Sequence, residues 1–133
     1  MSPTGPLRQT ACPCGSGATY DACCGRLHRG AAPAVTAEEL MRSRYTAYVV
    51  GDLDHLFRTW HPRTRPDDLT AGPGLTWTGL TIVATDGGGP DDEAGEVEFR
   101  AAYRTSEGPG VLHERSRFQR RAGRWVYVDG DAG

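Results

Sequence analysis

Val111-Leu112-His113-Glu114-Arg115-Ser116-Arg117-Phe118-Gln119-Arg120-Arg121-Ala122-Gly123-Arg124-Trp125-Val126-Tyr127-Val128-Asp129 is the stretch on which the fold turns. It reads as a strand over 111–120, a two-residue turn at Ala122-Gly123, and a strand over 124–129. Upstream, 96–104 alternates with Val97, Phe99, Ala101 and Tyr103 on one face, as a half-buried strand must. Residues 75–85 carry Trp77, Leu80, Ile82 and Val83 and read as a further strand. The turn between these two strands is supplied by Gly87-Gly88-Gly89-Pro90-Asp91-Asp92. Four strands in succession with short turns predict an antiparallel meander.

Before residue 60 the period is 3.6, not 2. Thr36-x-x-Glu39 is a capping box. Leu40, Met41, Tyr45, Tyr48 and Val49 follow as an apolar stripe, and Gly51 is a stop signal. Asp52 or Asp54 can cap a second, short helix through Leu53, Leu56, Phe57 and Trp60, which Pro62 ends. Helices followed by a meander predict an α+β domain with the helices on one sheet face. A curved antiparallel sheet wrapping such helices resembles the cystatin-like cone of nuclear transport factor 2-like proteins. Fold likeness of this kind says little about activity.

All four cysteines lie together, as Cys12-Pro13-Cys14 and, eight residues on, Cys23-Cys24. Two tight pairs around a glycine-bearing turn suit a borderline-soft divalent metal at tetrahedral corners. Disulfides are the competing reading, but the 12–14 and 23–24 pairs are too close for unstrained bonds, which leaves only cross-pairings. The first eleven residues contain no apolar run of a secretory signal, so a reducing, cytoplasmic setting is expected. Cys-Pro-Cys-Gly-Ser-Gly-x-x-Tyr-x-x-Cys-Cys resembles the SEC-C motif of the SecA translocation ATPase. That resemblance implies Zn2+ on Cys12, Cys14, Cys23 and Cys24, with iron as the alternative. Tyr20 is then a packing residue of the knuckle. Four thiolates around one divalent ion carry excess negative charge, which Arg8, Arg26 and Arg29 are placed to offset. His28 stands near enough to compete as a ligand; otherwise His28 and His55 are expected to face solvent.

The 133 residues suit one compact domain with a small appendage: 1–11 disordered, 12–29 the knuckle, 30–133 the α+β domain. The formal net charge of −2 gives no basic excess, so nucleic acid is not indicated as a partner. No apolar stretch approaches the roughly 18 residues of a membrane span. All 15 basic residues are arginine, so a buried one deserves attention as a fixed charge with a planar, bidentate edge.

The body of the chain resembles the YchJ-like family throughout. The resemblance rests on Leu-Met-Arg-Ser-Arg-Tyr-Thr-Ala-Tyr at 40–48, Thr-Trp-His-Pro-x-Thr-Arg at 59–65, Gly-Glu-Val-Glu-Phe at 95–99, His-Glu-Arg-Ser-Arg-Phe at 113–118 and Arg-Trp-Val-Tyr-Val-Asp-Gly at 124–130. It implies a SEC-C motif followed by a nuclear transport factor 2-like domain; longer members carry a second SEC-C motif, which this sequence does not.

Strand parity adds one inference. If Phe118 faces the core, Ser116, Glu114 and Leu112 share its face. A carboxylate there needs partners, and Arg42, Arg44, Tyr45, His61 and Arg65 are the candidates for a polar pocket with Glu114 and Ser116. Trp60, Trp77, Trp125, Tyr103 and Tyr127 read as packing. Two roles follow: a zinc-binding interaction module that meets a protein partner through the knuckle, or a small-molecule-binding protein or enzyme using the cone. In the second role Glu114 or His61 is the acid or base and Arg44 or Arg65 the anion clamp. The sequence leans away from an enzyme and leaves monomer or homodimer open.

Overall fold

The structure, a computed structural model, describes residues 9–69 and 74–132. The elements bounded within the described residues are three helices followed by four strands: α1 Cys24–His28, α2 Ala37–Val50, α3 Leu53–Arg58, β1 Thr76–Gly87, β2 Ala94–Thr105, β3 Gly108–Arg121 and β4 Arg124–Ala132. α2 starts where the capping pattern puts it. Thr36 Oγ1 accepts from Glu39 N at 3.0 Å. The Glu39 carboxylate reaches back to Val35 N at 2.7 Å, one residue before the cap. Gly51 closes the helix, and Asp52 Oδ1 accepts from His55 N at 3.0 Å to open α3.

The sheet has the order β1-β2-β3-β4, every pair antiparallel. Ala122 and Gly123 have φ of 52° and 79°, the left-handed pair of a hairpin turn that keeps the twist of its strands. β4 runs on to Ala132, past the expected 129, because β3 still offers partners down to Glu114. The register sets Val97 opposite Ser116, Phe99 opposite Glu114 and Ala101 opposite Leu112, so these six side chains share one face.

α2 lies on that face. Leu40, Met41, Tyr45, Val97, Phe99, Phe118 and Trp125 form one buried cluster, and Cys12, Cys14 and Cys24 belong to it. The knuckle is therefore part of the cone's core. The stretch after α3 runs along β4: Tyr127 N donates to Thr59 O at 2.7 Å and His61 N to Tyr127 O at 2.8 Å. Thr10 O accepts from Tyr20 N at 2.9 Å and Ala11 bridges Thr19, so the chain is paired from Thr10 onward. Residues 1–8, where most of the expected disordered segment falls, lie outside the described residues.

Candidate metal centre and cone cavity

Turn chemistry brings the cysteines together. Cys12 N donates to Ala18 O at 2.8 Å and Gly15 N to Cys12 O at 3.1 Å, which folds the first pair into a tight loop. Cys23 N donates to Tyr20 O at 3.1 Å, and Cys24 begins α1. The four Sγ atoms all lie within 4.8 Å of one another. Cys14 and Cys23 sulfurs are 3.7 Å apart, Cys23 and Cys24 4.0 Å. A tetrahedral ion with metal–sulfur bonds of about 2.3 Å needs edges of about 3.8 Å. The Cys14–Cys23 and Cys23–Cys24 separations are close to that edge, and at roughly twice the length of an S–S bond they fit no disulfide. Contacts with Cys12 and Cys24 pull the Cys14 thiol well below its usual value, and contacts with Cys12 and Cys14 push Cys24 up.

The surroundings come largely from α2. Thr46 Oγ1 is 3.7 Å from Cys12 Sγ, and Arg42 Nη1 donates to Cys14 O at 2.6 Å. Ser16 Oγ reaches Cys23 Sγ at 3.1 Å. The arginines expected to offset the cluster charge are engaged with carboxylates, Arg26 with Glu39 and Arg29 with Asp21; Arg8 lies outside the described residues.

His28 is not a ligand. Its Nε2 faces Ser43 O at 2.8 Å and so carries the proton; Nδ1 then accepts from Tyr20 O–H at 2.7 Å. The expectation that His28 and His55 face solvent is corrected here. The His28 side chain is 4% exposed and His55 is 2% exposed. They contact each other with ring centroids 4.5 Å apart. Docking of the knuckle against α2 and α3 encloses both, and burial holds His28 below its ordinary value and pushes His55 down to about 3.

The second feature is a cavity of about 260 Å3 between α2 and the sheet. Arg44, Tyr45, Glu114 and Ser116 line it, together with Met41, Tyr48, Trp60, Trp77 and Tyr127. Arg44, 4% exposed, donates from Nη1 to Leu56 O at 3.1 Å and Thr59 Oγ1 at 2.7 Å. Its guanidinium stacks within 4.8 Å of the Trp60 ring and 4.6 Å of the Tyr127 ring. Glu114 Oε2 accepts from Ser116 Oγ at 2.6 Å and from Tyr127 O–H at 3.4 Å.

A family model described as "YchJ, middle NTF2-like domain" matches residues 36–130, and the SEC-C motif matches residues 10–26. The chain belongs to the YchJ-like family. A UPF0225 protein of Streptomyces coelicolor is 57% identical over 120 residues, 90% of this chain and 94% of its own. Another, from Cupriavidus pinatubonensis, is 52% identical over 98% of this chain and 96% of its own. The solution structure of a SEC-C motif containing protein from Rhodopseudomonas palustris superposes with a TM-score of 0.81 at 35% identity, covering 92% of this chain and 98% of that one. The crystal structure of a SEC-C motif containing protein from Psychrobacter arcticus gives 0.78 at 27% identity, covering 96% and 85%.

In this YchJ-like chain the pocket candidates divide. Arg44, Tyr45, Glu114 and Ser116 meet in the cavity. Arg42 instead faces the knuckle. His61 turns its Nδ1 to Arg63 N at 3.0 Å, and Arg65 stacks on Phe57 at 3.7 Å. None of these three lines the cavity, so His61 is not joined to Glu114. Trp60, Trp77 and Tyr127, read as packing, form cavity wall. The signal for the wall was the i, i+4 pairs Met41–Tyr45 and Arg44–Tyr48 on one flank of α2. Burial draws Arg44 down to about 10 and, with Glu114 adding to the effect, raises Tyr127; Arg44 stays charged at neutral pH. Among the described residues no helix is long and apolar enough to cross a membrane.

Proposed function

We propose that the chain is a cytoplasmic zinc-binding protein in which Cys12, Cys14, Cys23 and Cys24 hold a structural ion. The knuckle so fixed serves as a protein-interaction module. The observation that supports the metal is the convergence of four sulfurs within 4.8 Å of one another inside a core shared with α2. Four protein thiolates fill the coordination sphere, so the ion supplies folding energy and not an activated water. Reduced thiols require a reducing compartment, which favours the cytoplasm.

The interaction role draws support from exposure. Residues 15–19 are all exposed, while Cys12, Cys14 and Cys24 beneath them are buried. A short loop held out on a rigid metal base is a pre-ordered surface, which lowers the entropic cost of association.

Elemental analysis of protein purified without chelator tests the metal. About one zinc per chain is expected. Iron with visible thiolate absorption would replace zinc in this reading, and reduced protein without any metal would end it. For the partner, in-cell cross-linking should lose a specific adduct in Ala18→Arg, which keeps its zinc. Identical adducts from the wild type, Ala18→Arg and Cys23→Ser would demote the knuckle to a staple.

A further inference from the structure

The cone encloses a cation that makes no contact ion pair among the described residues; Glu114, in the same wall, reaches it only through space. Every hydrogen bond that the Arg44 side chain makes among the described residues comes from Nη1, to Leu56 O and Thr59 Oγ1. Trp60 and Tyr127 stack on the guanidinium. Its Nε and Nη2 donors find no acceptor among the described residues, and Glu114, whose Oε2 is held by Ser116 and Tyr127, forms no ion pair with it. Burying an uncompensated charge is costly, and proteins ordinarily pair it. Beside it, the Trp60 indole Nε1 is buried with no partner among the described residues.

The free Nε–Nη2 edge is the side-on fork that matches the two oxygens of a carboxylate. Around it the cavity is mostly aromatic and apolar, with Tyr45, Trp77 and Phe99 in its wall. Its volume of about 260 Å3 falls just under the range of roughly 300–1,000 Å3 that takes drug-sized ligands. The occupant is therefore small. Arg44 is the one cation among the lining residues, and Glu114 in the same wall opposes further negative charge, so a monoanion fits better than a dianion such as phosphate. We propose that the cone cavity binds a small monocarboxylic acid with an aromatic or branched apolar body. Its carboxylate is held bidentate on Nε and Nη2 of Arg44. This site is separate from the metal and does not depend on the reading of the knuckle.

The test uses the full-length, metal-loaded protein and nitrogen-correlated NMR. Benzoate, phenylacetate and isovalerate are titrated to millimolar concentration beside phenylacetamide, a neutral isostere of one of them. At least one acid should saturably shift the Trp60 indole and Arg44 Nε signals, with phenylacetamide at least tenfold weaker than phenylacetate. In Arg44→Lys, acid binding should weaken at least tenfold while the weak amide response is unchanged. Saturation by no acid overturns the proposal, as does an amide equal to its acid or undiminished acid binding in a folded Arg44→Lys. The wild-type comparison of acid with amide decides the matter even where the variant does not fold.

Discussion

His55→Gln should flatten the acid limb of the stability curve. The Ser43 hydroxyl donates to Leu40 O at 2.7 Å, so at 2.9 Å it accepts from His55 Nε2–H. The opposite nitrogen, Nδ1, is buried and has no partner among the described residues. Protonation would place an unpaired N–H and a charge there, beside His28 and near Arg58 and Arg44. Burial, then those neighbours, holds the folded imidazole at about 3, against 6.5 in the unfolded chain. The folded pKa is depressed, so the stabilisation is complete above 6.5. It is lost as pH falls from there towards 3, because only the unfolded chain takes up the proton. Linkage gives a loss of about 1.3 kcal/mol between pH 7 and pH 5.5, and of about 4 kcal/mol by pH 3. His28, also held down by burial, adds in the same direction. Gln keeps a donor for Ser43 and removes the titration. Urea unfolding at pH 7 and pH 5.5 measures the difference; acid weakening of the metal centre is common to both proteins and cancels. The variant should lose about 1.3 kcal/mol less than the wild type. Equal losses would refute the assignment of His55 as a buried neutral group.

Cys14→Ser should reduce bound metal from about one ion per chain to near none, with a large drop in melting temperature, since metal affinity here is folding free energy; elemental analysis and calorimetry read both. Gly95→Ala should destabilise by about 1–3 kcal/mol in urea unfolding, the cost of overpacking. Its Cβ would sit 2.4 Å from Gly88 Cα, which is backbone and cannot swing aside. Thr36→Ala should cost about 1 kcal/mol by losing the cap on Glu39 N.

The cysteine cluster was legible because the whole cysteine content lies in two tight pairs, a pattern that suits a metal site. Glu114 and Ser116 were placed on the inner face by parity. That worked because the bulge between Arg117 and Phe118 inserts its extra residue, Val128, into β4 and leaves β3 regular. Arg42 and Arg44 could not be separated by pattern. They are two positions apart and so point to nearly opposite flanks of α2, but nothing local says which flank meets the knuckle. The burial of His28 and His55 was hidden for the same reason: each lies in a polar stretch, and only the docking of α1 on α2 and α3 encloses them. His61 was misplaced because its backbone pairs with β4, which fixes its ring over Arg63 and away from the cone.

α2 is the element through which the two sites are built. One flank carries Arg42 and Thr46, one turn apart, onto the Cys14 carbonyl and the Cys12 sulfur. Another carries Arg44 and Tyr48 into the cavity wall. Ser43, between them, bonds His28 of the knuckle through its carbonyl and His55 of α3 through its hydroxyl. A helix of 14 residues held at both ends of its girth in this way has little freedom to roll. The knuckle's contribution to the cone is then positional: it fixes the rotation of α2, and with it the direction in which the uncompensated edge of Arg44 points.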